Sequence, residues 1–250
     1  MIEKIIKKFI PNIFLKYRDK NNIKKIRAKF SKMEKNQIFK EIYLQKLWSP
    51  ESIKSDYKFY SGIGSYLPEL VDSYISEVGK FLLSLPKKPN VVDLGCGDFV
   101  IGSKLRQFCN NYIAVDIFDE LINYNQEKYK DLNVDFRVLD ITYDQLPPGD
   151  VCFVRQVLQH LSNESILNFL KIIENKYKYL VVTEHFPSSK NFVANLDKPN
   201  GPDVRLYDQS AVILTEPPFN LKVIKDINIC ETYSDSIEGM IKTKLLQLSI

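Results

Sequence analysis

The sequence predicts an α/β fold in which helices cover both faces of a mostly parallel sheet of about seven strands, preceded by a helical segment. From residue 90 onward, short apolar runs alternate with stretches of helical periodicity, the pattern of parallel strands joined by right-handed crossovers. The chain has 250 residues, 44% of them hydrophobic, which suffices for an ordinary core in one large domain, with or without an appendage. The composition excludes a disordered tail protein, a collagen-like fibre and a disulfide scaffold.

The predicted strands are short and apolar, and most are separated by a helical segment. Helices are expected at 101–109, 119–129 and 163–175, and a further helix over 67–85 leads into the first strand. No helical pattern separates the last two strands, so we expect the final one to run antiparallel. The predicted strands cover residues 91–94, 112–115, 134–139, 151–155, 179–183, 221–229 and 245–249.

Residues 1–35 form a basic arm. They carry a net charge of +9, which leaves −5 for the remaining residues of a chain whose net charge is +4. Apolar residues recur at helical spacing among the lysines, and Pro11 is expected to end or kink that helix. The commoner use of such a helix is packing on its own protein or on a second subunit. Contact with an anionic membrane surface or with nucleic acid phosphates is the alternative.

Cysteine and histidine content bears on compartment and metal binding. Four cysteines (Cys96, Cys109, Cys152 and Cys230) occur without metal-type pairs, and two histidines are too few for a zinc site. Two of the cysteines lie in apolar runs, which favours a reducing compartment. No apolar run is long enough to span a membrane, and the start lacks the cleavage site of a signal peptide. We expect a cytoplasmic protein without a bound metal.

A glycine-bearing turn follows the first predicted strand. That strand ends at Asp93, and the turn contains Gly95 and Gly97 before Asp98. Glycine is needed where φ is positive or where a ligand approaches the backbone closely. A dinucleotide fingerprint would place a pyrophosphate here, but carboxylates on both sides disfavour that anion. They suit a ligand with ammonium, sulfonium and hydroxyl groups.

This turn, taken with the strand ends that follow it, resembles the cofactor loop of the class I S-adenosylmethionine-dependent methyltransferases. That loop reads (D/E)xGxGxG, and Phe99 replaces its third glycine here. Asp116 ends the second strand, where the family places an acid that bridges the ribose hydroxyls. Asp140 and Ile141 follow the third strand, where the family contacts adenine. Residues 154–161 resemble the segment that joins the family's fourth strand to a helix.

The resemblance implies a Rossmann-like sheet, S-adenosylmethionine as cofactor and S-adenosylhomocysteine as product. Residues 1–89 would form a basic helical segment that caps the pocket, and residues 90–250 the methyltransferase domain. Isolated acids after strands are usually loop acids or helix caps, but these all fall at the sheet edge where parallel sheets bind ligands. Cys96 is expected to contribute backbone contact alone. The implied cofactor-binding residues are Asp93, Gly95, Cys96, Gly97, Asp116, Ile117, Asp140, Ile141 and Gln156.

Residue types at the strand ends bear on the methyl acceptor. Residues 155–158 lack the Asn/Asp-Pro-Pro-Tyr/Phe turn used for amino groups, and Cys152 lies within a strand, unlike the nucleophile of pyrimidine methylation. Two histidines could accept the proton of a hydroxyl acceptor. His185, after the fifth strand, is the favoured candidate, and His160, after the fourth, is the second. An acidic acceptor, such as a carboxylate or a phosphate oxygen, would need no base.

A polar stretch over residues 187–220 replaces the expected helix, and such stretches are usually functional or disordered. Together with residues 39–48 and 61–65, it resembles methyltransferases of bacterial surface-polysaccharide (capsule) biosynthesis. That resemblance implies methyl transfer to oxygen of a small sugar-like or phosphorylated acceptor, a phosphoramidate included. Residues 61–65 either bind an anion through their backbone or connect two helices flexibly. The candidate acceptor-binding residues are Arg205, Asp197, Asp203 and Tyr60.

Two other functions remain open. An RNA methyltransferase would use residues 1–35 as a phosphate-binding arm, and its binding would weaken steeply with salt. A non-catalytic module would bind S-adenosylmethionine without releasing S-adenosylhomocysteine. We expect a small-molecule acceptor and no nucleic acid partner. Peripheral membrane contact by residues 1–35 and a monomeric or homodimeric state are both left open.

Overall fold

A computed structural model describes residues 20–51 and 57–249, so the predicted helix around Pro11 lies outside the described residues. Seven strands form one sheet in the order β3-β2-β1-β4-β5-β7-β6. Strands β1 to β5 pair in parallel, and β7 runs antiparallel to both of its neighbours. The predicted Rossmann-like fold is therefore confirmed. The strands are β1 (Val91–Leu94), β2 (Tyr112–Asp116), β3 (Asp135–Val138), β4 (Val151–Arg155), β5 (Tyr179–Phe186), β6 (Val223–Tyr233) and β7 (Met240–Leu248).

Helices surround this sheet and include a helical N-terminal part. One helix each joins β1 to β2, β2 to β3 and β4 to β5, as the alternating pattern predicts. Ser162 caps the last of these by accepting a hydrogen bond from the backbone of Ser165. The α-helices are α1 (Lys20–Phe30), α2 (Lys35–Leu44), α3 (Pro68–Ser84), α4 (Val100–Leu105), α5 (Asp119–Lys128) and α6 (Asn163–Ile173).

Two apolar layers pack on the sheet, one on each face. Helices α1, α2 and α6 belong to the layer that includes Val92 and Leu94 of β1. Helices α3, α4 and α5 belong to the layer that includes Val91. Alternate residues of the strand therefore face opposite layers. Burial on both faces explains why the strand sequence is almost continuously apolar, with Asp93 as the exception.

The antiparallel part of the sheet is longer than the sequence predicts. β7 begins at Met240, which pairs with Phe186 at the end of β5, so both strands extend beyond their predicted limits. The first half of β7 is not recognisable as a strand in the sequence, because one face of this part of the sheet is polar and carries lysines. Lys242 and Lys244 form ion pairs with acids of β6, each at 2.8 Å. The extension places His185 inside β5, which corrects the expectation that it follows the strand.

The helical segment before the sheet is tied to the body by ion pairs. Arg27 of α1 donates from Nε to Asp203 at 2.9 Å and also pairs with Asp208, both in the segment between β5 and β6. Lys35 at the start of α2 contacts the Asp140 carboxylate after β3, at 3.0 Å. These contacts hold α1 and α2 against the carboxyl edge of the sheet.

Phe99 has a backbone conformation that usually requires glycine. Its φ is +59°, and it stands where the methyltransferase loop that this turn resembles has a third glycine. The side chain is fully buried and meets Tyr112, Tyr129 and Phe136 edge-on, with ring centroids 4.9–5.4 Å apart. Aromatic packing therefore offsets the cost of the left-handed backbone.

This compensation predicts an inverted order of stability at position 99. Phe99→Ala is expected to lower the free energy of unfolding by about 4 kcal/mol. Phe99→Gly should be about 1 kcal/mol more stable than the alanine variant, because glycine adopts positive φ without strain. Urea unfolding measures both. At exposed Ser76 in α3, the alanine variant should be more stable to unfolding than the glycine variant, which is the usual order in a helix. If Phe99→Ala is also more stable than Phe99→Gly, aromatic packing does not offset backbone strain at position 99.

Candidate active site

A cavity opens at the carboxyl ends of β1, β2 and β4, beneath α2 and residues 61–65. It encloses about 970 Å³ of space, counting its open mouth, which is the size of a site for a cofactor or small ligand. We call it the cofactor cavity. Residues not singled out from the sequence also line it, among them Lys35, Tyr74 and Arg155. All nine residues expected to bind the cofactor line it: Asp93, Gly95, Cys96, Gly97, Asp116, Ile117, Asp140, Ile141 and Gln156.

Glycine is sterically necessary at two positions in the turn after β1. Gly95 and Gly97 have φ of +75° and +57°. A Cβ at Gly95 would lie 2.5 Å from a methyl of Val157, and one at Gly97 would overlap the Ser61 hydroxyl. The Gly97 amide donates to Asp116 at 3.1 Å, which ties the turn to the end of β2. Backbone and carboxylate therefore meet at the floor of the cavity.

Two buried carboxylates dominate the electrostatics of the cofactor cavity. Burial raises the pKa of Asp93 to about 7, although the Tyr112 hydroxyl donates to it at 2.9 Å. Burial likewise raises the pKa of Asp116 to about 6, although the amides of Gly97 and Phe118 donate to it. Among the residues that the structure describes, no lysine or arginine forms an ion pair with either. A positively charged ligand with hydroxyl groups complements this arrangement.

Residues 61–65 form a pinned loop between the turn after β1 and the end of β4. Asp98 accepts from the Ser61 amide at 3.1 Å and from the Tyr66 hydroxyl at 2.5 Å, and its own amide donates to the Ser61 hydroxyl. Arg155 donates to the Gly64 carbonyl at 2.5 Å from the other side. The loop is therefore held at both ends. Asp98 holds one end but does not itself line the cofactor cavity.

A second cavity of about 900 Å³ lies on the other side of this loop. Residues before the sheet, the end of β4, the segment between β5 and β6, and β7 all contribute to its lining. Gln156, with φ of +56°, stands between the cavities, and its side chain fills the space beside Gly64. Both cavities share four lining residues, namely Trp48, Ser61, Gln156 and His160.

The two histidines have different positions. His160 lines both cavities, with its ring centroid 4.7 Å from that of Trp48, and its Nδ1 is buried without a hydrogen-bond partner among the described residues. His185 lines the second cavity, and its Nε2 contacts the Glu238 carbonyl oxygen. Burial lowers the pKa of His160 to about 3 and that of His185 to about 4, so both rings are neutral at physiological pH. His160 thus lies at the boundary of the two cavities, whereas His185 lines the second cavity alone.

The residues expected to bind the acceptor are not brought together. Arg205 is buried and donates to the carbonyls of Leu196 and Leu161. Asp197 accepts from the backbone amide at the start of α6 and from that of the residue that follows Asp197 in the chain. Tyr60 stacks on Tyr66 at 4.4 Å. None of these three lines either cavity, because backbone groups occupy Arg205 and Asp197 and the Tyr66 ring packs on Tyr60. Asp203 lines the second cavity.

Residues 20–51 and 57–249 contain neither a cluster of metal-ligating side chains nor a membrane-spanning helix. No group of three or more His, Cys, Asp or Glu side chains is placed to hold a metal ion. No helix in the same ranges is long and apolar enough to cross a membrane.

Comparison with known proteins identifies the class. Residues 91–178, from β1 to the residue before β5, match the family model described as "Methyltransferase domain". No curated protein matches the sequence. This match contains the cofactor loop, Asp116 and Asp140, and the fold around it is the one such domains adopt. The chain therefore contains a methyltransferase domain, as its resemblance to the class I S-adenosylmethionine-dependent enzymes predicts.

Solved structures share this fold at low identity. The N-methyltransferase NodS from Bradyrhizobium japonicum WM9, bound to S-adenosylhomocysteine, is 11% identical with a TM-score of 0.54, over 80% of this chain and 92% of that one. Magnesium protoporphyrin IX methyltransferase from Synechocystis PCC 6803, bound to S-adenosylmethionine, is 14% identical with a TM-score of 0.53, over 85% and 97%. The bifunctional kinase-methyltransferase WbdD is 15% identical with a TM-score of 0.51, over 73% and 40%.

The raised carboxylate pKa values predict that cofactor affinity rises with pH. Below pH 6 both Asp93 and Asp116 are largely protonated in the free protein, so binding of the sulfonium cation must first displace protons. The dissociation constant of S-adenosylmethionine is expected to fall about tenfold or more between pH 5 and pH 7. Calorimetry in buffers of different ionisation enthalpy measures the affinity and the protons released. Asp93→Asn should remove the step near pH 7. Affinity that is constant over this range would contradict the assignment.

Proposed function

We propose that this methyltransferase transfers a methyl group to a hydroxyl oxygen of a small sugar-like acceptor in the second cavity. The observation that carries the proposal is the wall common to the two cavities, formed by Trp48, Ser61, Gln156 and His160. Because both cavities are lined by these residues, a methyl donor in one cavity and an acceptor in the other would lie next to each other at this boundary. Direct transfer requires the acceptor lone pair and the methyl carbon to be in line at short distance.

The lining of the cofactor cavity fits S-adenosylmethionine chemically. Asp116 would accept hydrogen bonds from the ribose hydroxyls, and Asp93 would face the ammonium group. Asp140 and Ile141 would lie beside the adenine, and Lys35 holds the Asp140 carboxylate in place. The bound cofactor supplies an electrophilic methyl on a sulfonium. Because Asp93 and Asp116 are buried without an ion pair in the described part of the chain, a cation would stabilise their charged forms.

Arg155 is a cofactor-site residue that sequence reasoning missed. It lines the cofactor cavity, lies over the Tyr74 ring at 4.9 Å, and its Nε is buried without a partner among the described residues. This donor would suit the carboxylate end of the cofactor. Its position at the last residue of β4 was the available signal, since the ends of parallel strands carry binding residues.

His160 is our candidate for the group that receives the acceptor's proton. In the reaction the acceptor oxygen forms a bond to the methyl carbon, the carbon–sulfur bond breaks with its electrons going to sulfur, and the hydroxyl proton leaves. Because burial lowers the pKa of His160 to about 3, the neutral ring is a weak base, so it would hold the hydroxyl by a hydrogen bond and take the proton only as the oxygen–carbon bond forms. His160 lines the common wall, whereas His185 lies further along the second cavity and is the second candidate.

The sugar-like acceptor and a role in surface-polysaccharide biosynthesis rest on the sequence resemblance. The acceptor also suits a cavity whose polar lining is uncharged apart from Asp203. A cytoplasmic location would suit the four cysteines, which are all free. Arg27 and Lys35 of the basic arm are paired with acids of the body, whereas Lys24, Lys25 and Lys32 are exposed, so RNA is retained as an alternative acceptor for the screen.

Release of S-adenosylhomocysteine in an acceptor screen tests the proposal. The screen should contain uncharged glycosides, nucleotide-linked sugars, sugar phosphates, phosphoramidates and RNA. We expect release with a sugar and an O-methyl group in the product, located by mass spectrometry and NMR. Methylated RNA would replace this function with the RNA alternative. Tight cofactor binding without release in any arm would favour the non-catalytic module.

A further inference from the structure

The lining of the second cavity is apolar and aromatic on most sides. Ile63, Leu70, Val204, Ile237 and Ile241 contribute to it, although they belong to different elements of the fold. Trp48 presents its ring at the wall shared with the cofactor cavity, and its Nε1 is fixed by a hydrogen bond to the Pro202 carbonyl at 3.0 Å. A rigid aromatic ring of this kind suits the apolar face of a sugar or another ring.

Charge is almost absent from this lining. Asp203 is the only acidic residue among the described residues that line it, and none of them is a lysine or arginine. The Asp203 carboxylate is buried, accepts from Arg27 at 2.9 Å and lies 3.5 Å from the Lys198 ammonium. The cationic side chains of Arg27 and Lys198 are therefore already paired with this carboxylate. An anion that entered would meet a carboxylate and neutral polar groups such as the Ser61 hydroxyl, with no lysine or arginine among the described lining residues.

One polar atom at this cavity that lacks a partner in the described part of the chain, Gln159 Oε1, requires a hydrogen-bond donor. Gln159 Oε1 is buried and has no partner among the described residues, and an amide oxygen can only accept. His160 Nδ1 is also buried without a partner among the described residues, and whether it donates or accepts depends on the tautomer of the ring. A hydroxyl can donate to such an oxygen, whereas an ionised phosphate cannot, because it carries acceptors alone. A ligand that leaves the buried Gln159 oxygen without a hydrogen-bond donor therefore binds much more weakly than one that supplies a donor.

We propose that the second cavity selects an uncharged, hydroxyl-bearing ring as methyl acceptor and excludes its phosphorylated counterparts. The selection arises from Trp48 as a stacking surface, Gln159 as an acceptor for a ligand hydroxyl, and a lining without cationic side chains in the described part of the chain. This inference rests on the proposed function and narrows it, since a sugar phosphate or phosphoramidate would then be a poor substrate.

Fluorescence of Trp48 tests the charge selection without knowledge of the acceptor. The chain has one tryptophan, so its emission reports on this wall alone. With the cofactor cavity saturated by S-adenosylhomocysteine, neutral acrylamide should quench the emission through the second cavity. Iodide should quench about fivefold less, because an anion enters an apolar cavity without a counter-ion at high cost. Iodide quenching within twofold of acrylamide would overturn the inference.

A matched pair of variants separates charge from simple access. Val204 lines the second cavity and is only partly buried, so a longer side chain can be accommodated there. Val204→Lys should raise iodide quenching about threefold, and Val204→Met, similar in length but neutral, should leave it unchanged. Equal quenching in the two variants would show that access, and not charge, excludes iodide.

Turnover separates failure of this inference from failure of the proposed function. In the acceptor screen, uncharged sugars should give a kcat/KM at least about tenfold higher than that of the same sugars bearing a phosphate. If calorimetry detects no S-adenosylmethionine binding, the proposed function fails. If the cofactor binds and phosphorylated sugars are methylated faster than uncharged ones, the proposed function stands and the charge selection alone is wrong.

Discussion

Asp116→Asn is expected to weaken S-adenosylmethionine binding about a hundredfold. The carboxylate at the end of β2 would accept two hydrogen bonds from the ribose, and each charge-assisted bond contributes about 1.5 kcal/mol or more. The amide keeps the size of the side chain and one acceptor oxygen, so the contact to the Gly97 amide can persist. Isothermal titration calorimetry of the cofactor measures the loss.

Asp119 provides the control for Asp116. It is an exposed carboxylate at the start of α5, three residues further along, so Asp119→Asn should leave cofactor affinity within about twofold. Thermal unfolding of both variants without cofactor distinguishes a local loss from misfolding. Unchanged affinity in a folded Asp116→Asn protein would remove the ribose role.

His160→Ala is expected to lower kcat by about a hundredfold or more while leaving cofactor affinity nearly unchanged. Removing a group that accepts the acceptor's proton typically has an effect of this size. Because burial holds the pKa of His160 at about 3, the imidazole is already neutral at pH 6. Between pH 6 and pH 8, kcat with saturating cofactor should therefore show no step from this ring. Single-turnover methyl transfer over that range measures both effects.

His185→Ala provides the comparison for His160, since both rings are buried and neutral. Because His185 does not line the common wall, its replacement should lower kcat by less than about tenfold. His160→Asn keeps a polar side chain against Trp48 and guards against simple loss of packing. A larger effect at His185 than at His160 would restore the sequence-based order of the two candidates. Small losses of kcat in both histidine variants would mean that holding donor and acceptor close together, and not a histidine, accounts for the rate.

The cofactor cavity was predictable because its residues are placed by local rules. An apolar run that ends in Asp93, followed by Gly95 and Gly97, specifies a strand, a tight turn and a close backbone approach. Asp116 and Asp140 follow the next two strands, and parallel strands end at one edge of the sheet. Each step depends on residues adjacent in the chain, so all nine expected cofactor residues line one cavity.

The acceptor side was less predictable for the same reason. Arg205 and Asp197 are residue types that commonly bind ligands, but here they form hydrogen bonds with backbone groups of their own segment and of residues 161–163. A sequence shows that a polar side chain is present, not whether a neighbouring carbonyl already occupies it. The lysines of β7 similarly concealed half of that strand, because their partners belong to β6.

The sequence by itself determined the sheet, the turn after β1 and the acids at the strand ends, because hydrophobic periodicity and turn chemistry act over a few residues. Tertiary structure alone decided that Trp48, Gln156, His160 and Tyr207 meet around a second cavity, and that His185 lies inside β5. These residues come from segments far apart in the chain. Their association depends on which faces pack together, and packing is a property of the folded chain as a whole.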